Sequence, residues 1–295
     1  MKPSLISAIT ILAMAAIQTL AGRIPLSRGR YSIPFAVTLA VLPSVGLARA
    51  QTPADPILGA DRAAIEELII GSRILANLGV VDGFGHISMR HPGNPSHFLM
   101  SHSVAPALVT VDDIMEFDQD GNAVDPRGRT VFLERFIHSE IYKARPDVQS
   151  IVHAHSPGVI PFSVSTVKLQ AIYHMPAFLA AGVPVFEIRD AGGQTDMVVR
   201  NAELGKALAQ TLGDKSVALM RGHGDVVVGP TVRAAVFRAY YTDVNARLQT
   251  QAIALGGPVN YLTPEEGEEA DAVHAEVLER AWNLWKTQVT SALAE

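Results

Sequence analysis

The sequence predicts an α/β protein in which a mixed β-sheet lies between layers of helices. Short runs that alternate or are wholly apolar, bounded by glycine or polar turns, predict strands, and longer segments with helical apolar spacing lie between them. No internal repeat and no linker rich in proline and glycine divides the chain after residue 50. Residues 51–295 are therefore predicted to form a single domain with its own core.

Residues 1–50 are predicted to be a targeting segment. An apolar stretch at 4–21 precedes a second unit with three arginines, an apolar run at 33–47 and small residues up to Ala50. A basic region, an apolar region and small residues before a cleavage site make up a secretory signal. We expect cleavage after Ala50 and export to a periplasm-like compartment. The alternatives are a helix packed on the body and a cytoplasmic protein, if the leader is not part of the natural chain.

The remaining elements follow from the spacing of apolar residues and from turn signals. Helices are predicted at 55–79, 131–144, 201–212, 231–255 and 264–290. Strands are predicted directly after Gly85 and at 98–100, 148–155, 184–188, 216–221 and 225–228. The polar residues at 118–122 predict a turn between strands.

Charge and composition exclude several classes of protein. The chain has 24 basic and 29 acidic side chains, and its first 50 residues hold five of the basic and none of the acidic ones. The acidic body argues against nucleic acid as a partner, because phosphate binding needs a basic face. The absence of cysteine excludes disulfide scaffolds, thiolate nucleophiles and Cys-ligated metals. A metal site must be built from His, Asp and Glu.

A His-x-His motif within a predicted strand is the strongest chemical signal in the sequence. His153 and His155 are separated by Ala154. Alternate residues of a strand face the same side, so the two imidazoles point the same way, about 7 Å apart along the strand. Neutral imidazoles on one face suit a divalent metal ion. Two histidines with purely structural roles are the alternative.

Two further residues are candidates to complete this site. His223 lies between two glycines after a predicted buried strand, and glycines let a ring approach a ligand closely. Glu134 lies on the predicted helix 131–144, where an unpaired buried carboxylate is costly. It is expected to bind the metal or to act as a general base. The alternatives are an exposed turn for His223 and a surface ion pair for Glu134.

Four motifs carry a family resemblance. They are Glu134 on its helix, Arg145-Pro146-Asp147, His153-Ala154-His155 and Gly222-His223-Gly224. In order and spacing they closely resemble the class II aldolase/adducin family, over about residues 58–285. The resemblance implies a three-layer α/β/α sandwich, commonly assembled as a homotetramer with active sites between subunits. It implies that His153, His155 and His223 bind one divalent metal ion per subunit, zinc or manganese, with Glu134 as fourth ligand or catalytic acid/base.

Departures from the family pattern point to the substrate. Sugar-phosphate aldolases that the chain resembles hold phosphate with hydroxyl-bearing turns and a serine pair before the helical glutamate. Phe132 and Leu133 stand in place of that pair. A phosphate dianion needs several donors or cations, which apolar side chains do not offer. We therefore expect a non-phosphorylated small-molecule substrate.

The side chains predicted to bind this substrate suit a flat, carboxylate-bearing ligand. They are His86, Ser88, Ser101, His102 and Phe132. Hydrogen bonding within loops is the alternative for the polar residues of this set. The turns that contain them, with residues of the C-terminal third, resemble a branch of the family that decarboxylates hydroxylated aromatic or pyridine dicarboxylates.

The expected function is therefore that of a metal-dependent carbon–carbon lyase, with a decarboxylase of a hydroxylated aromatic or related oxygenated acid preferred. Glu134, His174 or Tyr173 is expected to return a proton to the carbon that loses carbon dioxide. The alternatives are a class II (retro-)aldolase for a non-phosphorylated hydroxy-carbonyl compound and a non-catalytic metal-binding or assembly protein. Epimerases and dehydratases of the family share the metal triad.

Overall fold

Seven strands form one sheet in the computed structural model, which describes residues 62–291. The strands are β1 His86–Arg90, β2 Phe98–Ser101, β3 Ile114–Phe117, β4 Ser150–Ala154, β5 Val185–Phe186, β6 Val217–Met220 and β7 Gly224–Gly229. They lie in the order β3-β2-β1-β4-β7-β6-β5. Neighbouring strands are antiparallel except β5 and β6, which are parallel, so the sheet is mixed as predicted.

Helices cover both faces of the sheet. They are α1 Arg62–Asn77, α2 Arg135–Ala144, α3 Ile160–Ser163, α4 Ile188–Gly192, α5 Ala202–Leu212, α6 Val232–Ala254 and α7 Pro264–Ser291. Short 3-10 turns lie at Pro106–Leu108, Val111–Asp113 and Ala177–Leu179. The predicted three-layer α/β/α architecture is confirmed.

Side-chain alternation in the strands separates two apolar cores. On β4, Val152 contributes to a first core with residues of α1, α6 and α7, such as Leu68 and Trp282. Its neighbour Ile151 contributes to a second core with residues of α2 and α5. All of these side chains are almost fully buried, so each helical layer is held by an apolar contact with one face of the sheet.

The helix that precedes β4 starts later than the apolar spacing predicts. The predicted helix at 131–144 begins at Arg135, and Glu134 is its N-cap residue. Phe132 packs against the ring of His86, 4.4 Å between centroids, and Leu133 is 58% exposed. The apolar run before Glu134 therefore belongs to a turn at the edge of the second core and not to the helix.

The predicted strands and the other helices are found with shorter or shifted ends. The strand predicted at 184–188 is reduced to Val185 and Phe186, and the turn at 118–122 leads back only to a single bridge between Phe117 and Ala123. The predicted leader at 1–50 and the first part of the helix at 55–79 lie outside the described residues. Within residues 62–291, no helix has the length and apolarity needed to cross a membrane.

Helices α2 and α5 pack with their backbones in close contact at Gly205. A Cβ atom at this position would overlap the carbonyl oxygen of Phe136 and would lie 2.9 Å from Cγ of Glu140. Both partners belong to α2, and the carbonyl oxygen is held by the helix, so the space for a methyl group can open only if the helices move apart.

We expect Gly205→Ala to lower the free energy of unfolding by about 1–3 kcal/mol, the typical cost of overpacking. At an unobstructed helical position the same change would stabilise the protein by about 1 kcal/mol through helix propensity. Urea unfolding of wild type, Gly205→Ala and the neighbouring exposed control Lys206→Ala measures the difference. A gain in stability in Gly205→Ala would mean that the two helices are not in this contact.

Candidate metal centre and active site

The central strand β4 carries the His-x-His motif. Its neighbours are β1 on one side and β7 on the other, and His153 lies opposite His86 of β1. His153 is buried, and His155, one residue past the end of the strand, is partly buried. Their ring centroids are 5.1 Å apart, so the alternation of the strand brings the two imidazoles together as predicted from the spacing.

His223 reaches the same place from the turn between β6 and β7. Gly222 has a φ of +62°, which a residue without a Cβ adopts without strain. A Cβ on Gly224 would overlap the carbonyl oxygen of Ala154, so the turn can lie directly against the end of β4. This approach places Nε2 of His223 3.0 Å from Nε2 of His155.

Glu134 faces the histidines from the start of α2. Its Oε2 lies 3.1 Å from Nε2 of His153 and 3.5 Å from Nε2 of His223. Its other oxygen, Oε1, accepts a hydrogen bond of 3.0 Å from the backbone N–H of Val199. The carboxylate is therefore fixed in orientation, with one oxygen directed at the imidazoles.

The hydrogen bonds behind two histidines decide which ring nitrogen is free. Nδ1 of His153 donates to the carbonyl oxygen of Asp225 at 3.0 Å, and Nδ1 of His223 donates to that of Met197 at 2.9 Å. Because a carbonyl only accepts, both Nδ1 atoms carry protons, and in the neutral rings both Nε2 atoms are left with lone pairs. These lone pairs face an oxygen of Glu134, so a cation or a proton must lie between them.

This donor set fits a divalent metal ion. One ligand atom from each of Glu134, His153, His155 and His223 lies within 4.8 Å of the others. Three imidazole nitrogens and one carboxylate oxygen are ligands that zinc and manganese accept, and four protein ligands or fewer leave room for a substrate. Outward-facing lone pairs with oriented backbone partners are typical of metal-binding histidines.

The electrostatics of the group favour the ligand states of Glu134 and His155, whereas the hydrogen bond and charge of Glu134 outweigh burial and raise the pKa of His223. Burial would raise the pKa of Glu134, but the charges of His153 and His223 and their hydrogen bonds hold that pKa far below its usual range. Burial, followed by the neighbouring His153 and His223, lowers the pKa of His155 to about 4. Near neutral pH the carboxylate is thus ionised and His155 is a neutral imidazole.

His86 and Phe132 form a wall beside this group. The ring of His86 lies 5.2 Å from that of His153 and 4.4 Å from that of Phe132, between centroids. Burial, followed by the neighbouring His138 and His153, keeps the pKa of His86 well below the usual value. The structure thus brings two of the predicted substrate-binding residues next to the candidate metal ligands.

A chain of buried polar side chains lies behind His86, and the sequence-based prediction missed two of its members. Nδ1 of His86 is 2.7 Å from Nε2 of His138, Ser88 Oγ is 2.6 Å from Nδ1 of His138, and Ser88 Oγ is 2.8 Å from the hydroxyl of Tyr142. Glu134, His138 and Tyr142 are four residues apart, so they lie in one row along α2. That i, i+4, i+8 spacing is the sequence signal for His138 and Tyr142.

Ser88 and Ser101 do not face a ligand in the way predicted. Ser88 is fully buried, and both contacts of its hydroxyl go to His138 and Tyr142 behind His86. Ser101 follows Met100 of the second core and alternates onto the face of Leu99, which belongs to the first core. Its side chain therefore lies on the face opposite His86. Strand register decides the directions of the Ser88 and Ser101 side chains, and the register cannot be read from the composition of the sequence.

The remaining candidates lie in other surroundings within the described chain. His102 is tied to the 3-10 turn at 111–113 by a 2.9 Å contact from its Nε2 to Asp113. His174 contacts His274 of α7, with 3.1 Å between Nδ1 and Nε2. Burial, assisted by Tyr241, raises the pKa of Tyr173 above its usual value, so its phenol stays protonated. Catalytic roles for His174 and Tyr173 and a ligand role for His102 stay predictions.

Comparison with known proteins identifies the family. A family profile described as "Class II Aldolase and Adducin N-terminal domain" matches residues 66–250. The chain belongs to this family.

The relatives of this chain include decarboxylases. The decarboxylase tropJ of Talaromyces stipitatus is 35% identical, over 76% of this chain and 93% of that protein. The 3,4-dihydroxyphthalate decarboxylase of Arthrobacter keyseri is 30% identical, over 70% of this chain and 85% of that protein. Family membership and these relatives together support a lyase.

A solved structure of the family has the same fold. The L-fuculose 1-phosphate aldolase of Glaciozyma antarctica PI12 matches with a TM-score of 0.64 and 24% identity, over 83% of this chain and 95% of that chain. This likeness establishes the class II aldolase fold, and the chemistry is argued from the site.

We expect His153→Ala and His223→Ala each to abolish metal binding, because each change removes one nitrogen from the group of four. Metal content after loading with zinc or manganese and exhaustive dialysis, measured by mass spectrometry, tests this. His97→Ala is the matched control, since His97 contacts Glu116 and lies outside the group. Full metal occupancy in both site variants would contradict the assignment.

The buried His138 makes stability depend on pH. Burial lowers its pKa from 6.5 to about 3, so between these values the unfolded chain binds a proton that the folded protein does not. The free energy of unfolding of the metal-free protein should therefore fall as pH decreases below 6.5, by about 1.4 kcal/mol per pH unit for this histidine. Urea unfolding at pH values from about 4.5 to about 7 should show that the free energy of unfolding depends less steeply on pH in His138→Gln than in the wild type. Equal slopes in both proteins would contradict the neutral, buried state of His138.

Proposed function

We propose that this protein is a divalent-metal-dependent carbon–carbon lyase that decarboxylates a hydroxylated aromatic or related oxygenated carboxylic acid. The observation that carries the proposal is the juxtaposition of the Glu134–His153–His155–His223 group with an apolar and imidazole wall, formed by Phe132 and His86. Phe132 lies two residues before Glu134, and His86 lies between the rings of Phe132 and His153.

The wall favours a flat, non-phosphorylated substrate. Phe132 offers a ring face for stacking, and it has no donor or charge with which to hold a phosphate dianion. His86 offers one ring nitrogen that can bind a carboxylate or phenolic oxygen. The names of the relatives agree with this choice, since one acts on 3,4-dihydroxyphthalate and another is a decarboxylase.

Decarboxylation breaks the bond between a ring carbon and its carboxylate and leaves an electron pair on that carbon. A bound divalent cation supplies Lewis-acid stabilisation of negative charge on an oxygen next to the breaking bond. The four candidate ligand residues would hold such a cation, and the hydrogen bond from Val199 to Glu134 would keep the other carboxylate oxygen directed at it.

One proton must be delivered to the ring carbon as carbon dioxide leaves. One oxygen of the Glu134 carboxylate faces the candidate metal site, so we propose that Glu134 accepts the proton of a substrate hydroxyl and passes that proton on. Tyr173 and His174 are the other candidates for donation, and the protonated phenol of Tyr173 is in the state that a donor needs.

The metal, the assembly and the location of the protein complete the proposal. Three imidazoles and a carboxylate accept zinc or manganese, and we propose one such ion per subunit. By family membership we propose a homotetramer, which binds a small molecule and no nucleic acid. The leader at 1–50 supports export with cleavage after Ala50.

We expect the metal-loaded protein to release carbon dioxide from hydroxylated aromatic carboxylates and to leave sugar phosphates unchanged. Dissolved carbon dioxide and the product phenol are followed together, with aldehyde release from hydroxy-keto acids assayed in parallel. Aldehyde release without decarboxylation would favour the aldolase alternative. Turnover of a sugar phosphate alone would contradict the substrate argument, and no turnover of any class would favour a non-catalytic metal-binding protein.

Two variants connect the activity to the site. Glu134→Gln should lower kcat at least about 100-fold, the usual contribution of a general acid or base. Phe132→Ala should raise KM for an aromatic acid about tenfold, because the stacking surface is lost. Leu255→Ala is the matched apolar control, since Leu255 is 87% exposed at the end of α6.

A further inference from the structure

Four side chains form an unbranched hydrogen-bonded chain that ends next to His153, one of the four candidate metal ligands. It runs from the hydroxyl of Tyr142 to Ser88, from Ser88 to Nδ1 of His138, and from Nε2 of His138 to Nδ1 of His86. The contacts are 2.8, 2.6 and 2.7 Å long in this order, so each is a short hydrogen bond. Of the four ring nitrogens of His86 and His138, three take part in these contacts, and Nε2 of His86 does not.

The chain is shielded from water. Ser88 and His138 have no exposed surface, and Tyr142 and His86 are 4% and 5% exposed. Phe98 stacks on the ring of His138, with 6.3 Å between centroids. In such surroundings the members can satisfy one another and cannot exchange partners with solvent, so their protons are ordered.

The chain has two possible directions. Exactly one proton can occupy the short contact between His86 and His138, since two would collide and none would leave two lone pairs face to face. Ser88 also has a single proton to share between His138 and Tyr142. Either every donor points towards His86, which leaves Nε2–H of His86 as a donor, or every donor points towards Tyr142, which leaves Nε2 as an acceptor.

The hydroxyl of Tyr142 decides between the two directions. Burial raises the pKa of Tyr142 above its usual value, so the oxygen keeps its proton. Among residues 62–291, Ser88 is the hydrogen-bond partner of this hydroxyl. If Ser88 donated to Tyr142, the phenolic proton would be buried without an acceptor, which is unfavourable. The favoured direction therefore begins at Tyr142 and ends at Nε2–H of His86.

We propose that Ser88, His138 and Tyr142 are positioning residues that hold His86 as a neutral imidazole with its proton on Nε2, as a donor to an oxygen of the bound substrate. The proposal rests on the proposed function for the identity of the substrate, a carboxylate or phenolate. It adds a selection rule, because a fixed donor at this point binds an oxygen acceptor and rejects a group that can only donate.

The tautomer can be measured directly in the full-length, zinc-loaded protein. Long-range proton–nitrogen NMR spectra of protein labelled with ¹⁵N in its histidine rings distinguish protonated from unprotonated nitrogens, and His86→Gln identifies the signals of His86. We expect His86 to carry its proton on Nε2 and His138 to do the same. A wild-type His86 protonated on Nδ1 would overturn the proposal, whatever the activity of the protein.

Ser88→Ala and Ser150→Ala make a matched pair for the positioning role. Both serines are fully buried on adjacent strands, but Ser150 donates to the backbone carbonyl of Ser88 at 2.7 Å and lies outside the chain. In Ser88→Ala we expect a mixture of the two His86 tautomers and a fall of about tenfold in kcat/KM for the carboxylate substrate, the effect of one misdirected hydrogen bond. In Ser150→Ala we expect the wild-type tautomer.

The outcomes separate the two proposals. An unchanged His86 tautomer in Ser88→Ala would overturn the positioning role. If the tautomers are as predicted but neither the wild type nor any variant decarboxylates a substrate, the proposed function is wrong. The proposed direction of the hydrogen-bonded chain is then still supported. If Ser88→Ala fails to fold, the wild-type spectrum still decides the direction of the hydrogen-bonded chain, because a proton on Nδ1 of His86 would overturn the proposal and a proton on Nε2 would support it.

Discussion

The position of β4 in the middle of the sheet is the constraint on which the site depends. Antiparallel pairing with β1 sets His86 beside His153, and pairing with β7 sets Asp225 beside Ala154, from where its carbonyl accepts the Nδ1 proton of His153. A slip of one residue in either pairing would reverse the faces of all these side chains. The apolar residues of both cores oppose such a slip, so hydrophobic burial fixes the register that the polar site needs.

The polar residues of the second core are compatible with burial only as a set. Elsewhere this core is aliphatic and aromatic, and an isolated imidazole or hydroxyl there would lose its hydrogen bonds with water. The row of Glu134, His138 and Tyr142 on α2 meets the row of His86 and Ser88 on β1, and each group in one row finds a partner in the other or in the metal group. The hydrogen-bonded side chains behind His86 and the candidate metal ligands are thus two halves of one polar region.

The sequence predicted those features that depend on local pattern. Spacing of two along a strand placed His153 with His155, and the helix and strand periods predicted most elements. Features that depend on pairing between distant segments were not accessible. The face of Ser101 and the indirect position of Ser88 follow from strand register, and the start of α2 at Arg135 follows from the packing of Phe132 on His86. His138 follows Glu134 by one helical turn on α2, but its role depends on the contacts that it makes with His86 and Ser88 of β1.

The candidate metal ligands and the turn that contains Phe132 bear differently on substrate choice. The candidate metal ligands come from the central strand, a glycine-bounded turn and the start of α2, so they are tied to the framework of the sheet. Phe132 lies in the turn that precedes α2, where a side chain can change without altering strand pairing. A protein that keeps the candidate metal ligands and changes the residue at the position of Phe132 retains the means to stabilise negative charge. It changes which molecule it binds. The fixed donor on His86 adds direction to that choice, because its hydrogen-bonded support is buried in the same framework as the metal ligands.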